Sequence, residues 1–78
     1  MEDRTRVIKL YDFYGNLLTN RKKEIFEMYY HEDLSMYEIA SSINITAQGV
    51  KDHLKKSIIL LEDYEEKLGF IKEFGERS

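Results

Sequence analysis

The chain has 78 residues, a net charge of −3 at pH 7, and neither cysteine nor proline. Without cysteine, disulfides and thiolate chemistry are excluded, so stability must come from helix packing or from a second subunit. The acidic balance argues against a non-specific nucleic-acid coat, because basic domains supply most of such affinity. A charged start and the lack of an apolar run of ~20 residues predict a soluble, cytoplasmic protein without membrane insertion.

Steps of three and four between apolar residues predict four helices. The absence of proline and the presence of only 4 glycines also favour helices over a turn-rich β protein. We therefore expect an all-α fold in a single domain over 1–78. The predicted helices cover roughly 5–18, 20–31, 35–43 and 46–68.

The segment 35–56 has the local signals of a helix-turn-helix, in which two helices cross around a tight turn. Ser35 is expected to cap the first of these helices, and Glu38 three residues later completes a capping box. Asn44 stands at the turn, where a positive φ is needed and Asn tolerates it better than most residues. Thr46 then caps the second helix. This register predicts a tri-helical recognition module.

The last helix carries a seam at alternating steps of four and three, the spacing of heptad a and d positions: Val50, Leu54, Ser57, Leu61, Tyr64, Leu68 and Ile71. Around 58–61 the helix is apolar on nearly every side, so one neighbouring helix cannot cover it. We expect a homodimer built on this helix. Alternatively, the first helix and a C-terminal turn with Phe70 and Phe74 cover it within one chain. The dimer or core seam comprises Val50, Leu54, Ile58, Leu61, Tyr64 and Leu68.

Outward residues of the second motif helix form a candidate surface for reading a major groove. Gln48 is suited to paired bonds with adenine, Lys51 to guanine or phosphate, and Thr46 at the helix N-terminus to phosphate. Other cations would contact phosphates without reading sequence. Alternatively, this face of the helix is only solvated, and the helix-turn-helix fold binds a protein partner instead of nucleic acid. The nucleic-acid-binding candidates are Thr46, Gln48, Lys51, Lys55, Lys56, Arg21 and Lys22.

The histidines and the acidic clusters provide no convincing metal or catalytic site. The groups His31 with Glu32 and Asp33, and Asp52 with His53, are neighbours in sequence; adjacent residues point apart on a helix, and no HExxH pattern is present. The carboxylates of 62–66 are typical of a charged, solvated face. We therefore predict a non-enzymatic protein with no metal and no cofactor.

Two known families share this register. The segment 18–61 resembles region four of sigma-70-type sigma factors, where an Arg-bearing helix precedes a capped Glu-Ile-Ala helix and a capped recognition helix. The wider pattern resembles the YlxM family of small bacterial proteins. The elements shared with that family are the Leu10–Tyr14 opening, the Leu18–Thr19 cap, the Met28–Tyr30 and Glu38–Ala40 triplets, and the stretch Leu61–Leu68.

The resemblance implies a four-helix, sigma-region-4-like helix-turn-helix with a long C-terminal helix, often dimeric. It also implies an accessory or regulatory role in the signal recognition particle pathway, with the particle's GTPase or RNA as partner. Members commonly carry a longer C-terminal helical extension, so this chain is a short or a truncated member. The motif alone supports an alternative, a DNA-binding transcription regulator that reads a half-site with residues 46–56. A third hypothesis is a scaffold that only oligomerises.

Overall fold

A computed structural model describes residues 3–75 of the chain. Within that range the chain forms five α-helices and one 3-10 turn, Gly15–Leu17, with no β-strand. The prediction of an all-α helix-turn-helix with a long C-terminal helix is confirmed. The helices are α1 (Arg4–Tyr14), α2 (Asn20–Tyr30), α3 (Met36–Ile43), α4 (Ala47–Leu68) and α5 (Phe70–Phe74).

The predicted boundary of the first helix needs correction. Instead of one helix over 5–18, α1 ends at Tyr14 and the 3-10 turn follows it. The long helix ends at Leu68 as predicted, and Gly69 follows it with a left-handed φ of 67°. The short helix α5 after Gly69 was not predicted. The other predicted ranges included capping residues that lie just outside the helices: His31, Ser35 and Thr46.

The helix-turn-helix is defined by local hydrogen bonds. The Ser35 hydroxyl accepts from the Glu38 N–H at 3.0 Å, and the Glu38 carboxylate accepts from the Ser35 N–H at 2.8 Å. Asn44 ends α3 with a φ of 60°. The Thr46 hydroxyl then accepts from the Gly49 N–H at 2.9 Å and caps α4. The motif register predicted from the sequence is confirmed.

The interior consists of two groups of buried side chains, and α4 contributes to both. One group lies under the helix-turn-helix and comprises Ile25, Ile39, Ala40, Val50 and Leu54. The other lies between α1, α2, α4 and α5, where the Tyr11 and Phe26 rings stack with centroids 4.2 Å apart. Its buried members are Val7, Leu10, Tyr11, Tyr14, Leu18, Phe26, Leu61 and Ile71.

Most of the predicted seam of α4 is covered within one chain. Three of its six members are buried, two are half-buried and one is exposed. The buried members are Val50, Leu54 and Leu61, the half-buried ones are Ile58 and Tyr64, and the exposed one is Leu68. Residues of α1 and α5 pack around Leu61, as in the alternative in which one chain covers the seam, but the buried residue of α5 is Ile71, whereas the predicted Phe70 and Phe74 are 41% and 54% exposed. The homodimer therefore stays a prediction.

Gly15 is explained by the close approach of an aromatic ring. A glycine in a helix costs about 1 kcal/mol relative to alanine unless packing requires it. A Cβ at Gly15 would lie 2.8 to 2.9 Å from ring atoms of Tyr11. Because side chains do not approach that closely, the ring of Tyr11 is able to stack on Phe26 only with a glycine at this position.

A cluster of hydrogen bonds holds α5 against the rest of the protein. The Tyr14 hydroxyl donates to Glu65 Oε1 at 2.5 Å and accepts from the Phe70 N–H at 2.9 Å. The Glu65 carboxylate also accepts from the N–H groups of Ile71 and Lys72, at 3.0 and 3.2 Å. Burial acts to raise the pKa of Glu65, but these hydrogen bonds outweigh it, so the pKa lies below its ordinary value.

We expect Leu61→Ala to lower the free energy of unfolding by about 2–5 kcal/mol, because removal of a fully buried leucine leaves a cavity. The Leu61 side chain is 0% exposed. Urea denaturation measures the loss. The matched control is Ile59→Ala on the same helix, where the side chain is 59% exposed and we expect about 0.5 kcal/mol or less. Equal losses in the two variants would contradict this assignment of the buried face.

The Glu65 cluster predicts an acid-sensitive α5. A carboxyl group with a lowered folded-state pKa stabilises the fold above its unfolded pKa, near 4.5. That contribution is lost as the pH falls through the lowered folded pKa. We expect the protection of the Ile71 and Lys72 amides, measured relative to their intrinsic exchange rates at each pH, to fall in that acid range. Glu65→Gln should show faster exchange already at neutral pH, whereas Glu73→Gln, an exposed residue of α5, should behave as the wild type.

Candidate nucleic-acid interface

The first half of α4 presents a solvent-facing surface because its opposite side packs on α2 and α3. Val50 and Leu54 point into the interior and are 0% and 4% exposed. The side chains between them and beside them face solvent. These exposed residues are Thr46, Gln48, Lys51, Asp52, Lys55 and Lys56.

One flank of this surface carries Lys51 and Lys55, which lie one turn apart on α4. Together with Arg4 of α1 they line a groove of about 660 Å³. Neither lysine forms an ion pair with any residue of 3–75. The groove lies between α1, α2, α3 and α4, and sequence analysis did not predict it. Its uncharged lining comprises Tyr29, Tyr30, Met36, Leu54, Ile58 and Ile59.

The opposite flank gathers cations from two helices around His53. Its imidazole is half-buried, and its Nδ1 atom accepts no hydrogen bond from the part of the chain that is described. Burial first, and then the positive charges of Lys22, Arg21 and Lys56, lower the pKa of His53 below its ordinary value of 6.5. The structure thus brings three of the predicted phosphate contacts together on this side of α4.

His53 was assigned in the sequence analysis only as a poor metal ligand, and its place among these cations was missed. The available signal was its spacing of three residues from Lys56, which puts the two on one side of a helix. The approach of Arg21 and Lys22 depends on how α2 packs against α4, and local spacing carries no information about that. Arg21 also pairs with Glu24 at 3.3 Å.

Two of the predicted reading residues are engaged within α4 itself. The Gln48 side-chain amide donates to Asp52 Oδ1 at 3.0 Å, so Gln48 must release this bond before it can pair with an adenine edge. The Thr46 hydroxyl is occupied by the Gly49 N–H. Between the two basic flanks, the centre of the face is therefore a polar, acidic pair that is suited to bases more than to phosphates.

Residues 3–75 contain no group of three or more His, Asp or Glu side chains arranged to hold a metal ion. The exposed His31 instead meets the rings of Tyr11 and Phe26 edge-on, at centroid distances of 5.6 and 6.1 Å. No helix in the described range is both long enough and apolar enough to cross a membrane.

The capped α3–turn–α4 unit with an exposed face on α4 defines a helix-turn-helix protein. The family model UPF0122, described as "Putative helix-turn-helix protein, YlxM / p13 like", matches residues 1–78. The chain belongs to this family. The resemblance to YlxM proteins seen in the sequence is thereby confirmed.

Similar proteins occur in several bacteria. A UPF0122 protein of Caldanaerobacter subterraneus subsp. tengcongensis is 55% identical over 67 residues, which are 86% of this chain and 57% of that protein. One from Desulforamulus reducens is 45% identical over 78 residues, the whole chain and 67% of that protein. One from Bacillus cereus (strain AH187) is 42% identical over 78 residues, the whole chain and 71% of that protein. The chain therefore spans little more than half the length of the first of these relatives.

The arrangement around His53 predicts a low imidazole pKa that depends on its cationic neighbours. We expect NMR titration to place the His53 pKa below 6.5, the ordinary value. The double variant Lys22→Gln, Lys56→Gln should move it upward, because two positive charges that disfavour the imidazolium are removed. Lys67→Gln with Lys72→Gln, near the other end of α4, should leave it unchanged. An unaltered pKa in the first variant would contradict the convergence of these cations.

Proposed function

We propose that this protein is a non-enzymatic, cytoplasmic helix-turn-helix protein that contacts nucleic acid through the first half of α4. The observation that carries the proposal is the exposure of Lys51, Lys55 and Lys56 on the recognition helix, without ion pairs to any residue of 3–75. We further propose an accessory or regulatory role in the signal recognition particle pathway, with the particle's RNA or GTPase as partner. That role is what the resemblance to the YlxM family implies, whereas the matching family model describes only a "Putative helix-turn-helix protein".

The distribution of charge on α4 supports entry of this helix into a groove. The major groove of B-DNA is about 12 Å wide and is bordered by a phosphate backbone on each side. Lys51 and Lys55 would meet one backbone, and Lys56 with the cations of α2 would meet the other. Gln48 and Asp52 lie between the flanks, where Asp52 accepts from a cytosine amino group and Gln48 pairs with adenine after releasing Asp52.

The same arrangement favours a second function, a transcription regulator that reads DNA half-sites. A-form RNA has a deep, narrow major groove that side chains cannot read, so an RNA ligand would have to be bound at loops or bulges. A regulator of this kind acts as a dimer with recognition helices roughly 34 Å apart, one turn of the double helix. The measured preference between duplex DNA and structured RNA therefore separates the two functions.

The test is binding of duplex DNA and of structured signal-particle RNA across a salt series. If about four phosphates are neutralised, the slope of log K against log salt should be near −3.6 on DNA. The triple variant Lys51→Glu, Lys55→Glu, Lys56→Glu should flatten the slope and weaken binding. Lys67→Glu with Lys72→Glu is the control, because it also adds negative charge but lies near the other end of α4.

Each result of the binding measurement favours one proposed function of the α4 surface. Preference for duplex DNA favours the regulator, and preference for structured RNA favours the particle factor. Failure to bind either ligand at low salt would contradict nucleic-acid contact and direct the search to the particle's GTPase. An equal loss of binding in the triple variant and in the control would mean that net charge, and not this face, is responsible.

A further inference from the structure

The groove beside Lys51 and Lys55 has a composition that nucleic-acid binding does not explain. Its floor is built from aliphatic and aromatic side chains contributed by α2, α3 and α4. Ile59, which lines the groove, is 59% exposed, although burial of such a side chain is normally favourable. Phosphate groups gain nothing from contact with an apolar floor, and the aliphatic side chains Met36, Leu54, Ile58 and Ile59 offer bases no hydrogen bond. This surface is suited to another protein.

One wall of the groove is fixed and electrically balanced. The Arg4 guanidinium donates to the Tyr30 carbonyl at 2.6 Å and to Asp33 Oδ1 at 2.9 Å, and it lies 5.2 Å from the centroid of the Tyr30 ring. The other wall is formed by Lys51 and Lys55, which have no acidic partner in the described range. The groove therefore combines a pre-formed apolar floor with one uncompensated basic wall.

We propose that this groove docks an acidic amphipathic helix of a partner protein. Apolar residues at i, i+3, i+4 and i+7 would lie on the floor, as in other helix-in-groove complexes. Acidic residues on one side of that helix would pair with Lys51 and Lys55, so the partner helix must be acidic to complement the basic wall. An apolar helix without acids would leave both lysines uncompensated, and a basic helix would be repelled.

A second copy of this chain is a poorer occupant, because most of its clustered acids are already engaged. In the second half of α4, Glu62 pairs with Arg6 at 2.8 Å and Asp63 pairs with Lys67 at 2.9 Å. Glu65 caps α5. Offering these carboxylates to the groove of another copy would break contacts within the chain, whereas a separate acidic helix has no such cost.

The groove and the proposed nucleic-acid face share Lys51 and Lys55. The same two ammonium groups cannot pair with partner carboxylates and with phosphates simultaneously. The partner helix and nucleic acid would therefore compete for this protein. Ile59 belongs to the groove floor and has no polar group to offer a phosphate, so it separates the two ligands experimentally.

The test is selection of peptides of roughly 16 residues, long enough to be helical when bound, from a displayed library against the full chain. We expect enrichment of sequences with Leu, Ile or Phe at helical spacing and with Asp or Glu between them. A selected peptide should bind about tenfold or more weakly to Ile59→Asn, as expected for a residue central to an interface. It should also bind more weakly to Lys51→Glu with Lys55→Glu. The matched control is Phe74→Ser, another exposed apolar residue, which should bind it as the wild type does.

Three results would overturn the proposal. They are the absence of acidic amphipathic sequences among the selected peptides, equal binding to the wild type and to Ile59→Asn, and a self-association in sedimentation equilibrium that Ile59→Asn abolishes. Failure here is distinct from failure of the proposed function. Ile59→Asn should retain the nucleic-acid affinity of the wild type, and the peptide measurement needs no nucleic acid.

Discussion

The buried side of α4 is the constraint on which the rest of the fold depends, since α1, α2 and α3 all pack against this helix. At 22 residues it is about 33 Å long, which is enough to supply side chains to both buried groups. Ser57, its one buried polar residue in the described range, satisfies its hydroxyl by donating to the His53 carbonyl at 2.7 Å. The buried side of α4 therefore leaves the Ser57 hydroxyl satisfied, and the opposite side of the same helix faces solvent.

Charge is distributed along α4 in a way that the net charge of −3 conceals. The carboxylates of its second half are largely paired or used as caps, whereas the lysines of its first half are left without partners in the described range. Ligand binding depends on the local excess of positive charge in the first half of α4 more than on the net charge of the whole chain. An acidic protein is thus able to present a basic surface where its recognition helix is exposed.

The local part of the fold could be predicted because its causes lie within a few residues of one another. The capping box of Ser35 with Glu38, the turn at Asn44 and the cap at Thr46 each depend on spacings of four or less. The end of the long helix at 68 was predicted, but the spacing of its apolar residues did not separate buried from exposed members, because Leu61 is 0% exposed and Leu68 is 48% exposed. The short helix α5 was not predicted, because five residues after a glycine are too few to show a helical period.

The parts of the candidate surface that escaped prediction depend on long-range packing. Arg4 reaches the groove through contacts with Tyr30 and Asp33, 26 and 29 residues further along the chain. His53 acquires its cationic surroundings only when α2 docks on α4. Neither arrangement leaves a periodic signal, because each joins side chains whose positions are set by different helices.

The division of the interior into two buried groups also has a consequence for the order of assembly. The group under the helix-turn-helix joins residues between Ile25 and Leu54, whereas the group around α1 must bring Val7 to Leu61 and Ile71. Closure of short loops costs less entropy than closure of long ones, so the helix-turn-helix is expected to form first and α1 to dock later. If α1 opened in the native ensemble, its detachment would remove the Arg4 wall of the groove while the capped helix-turn-helix kept its own buried group.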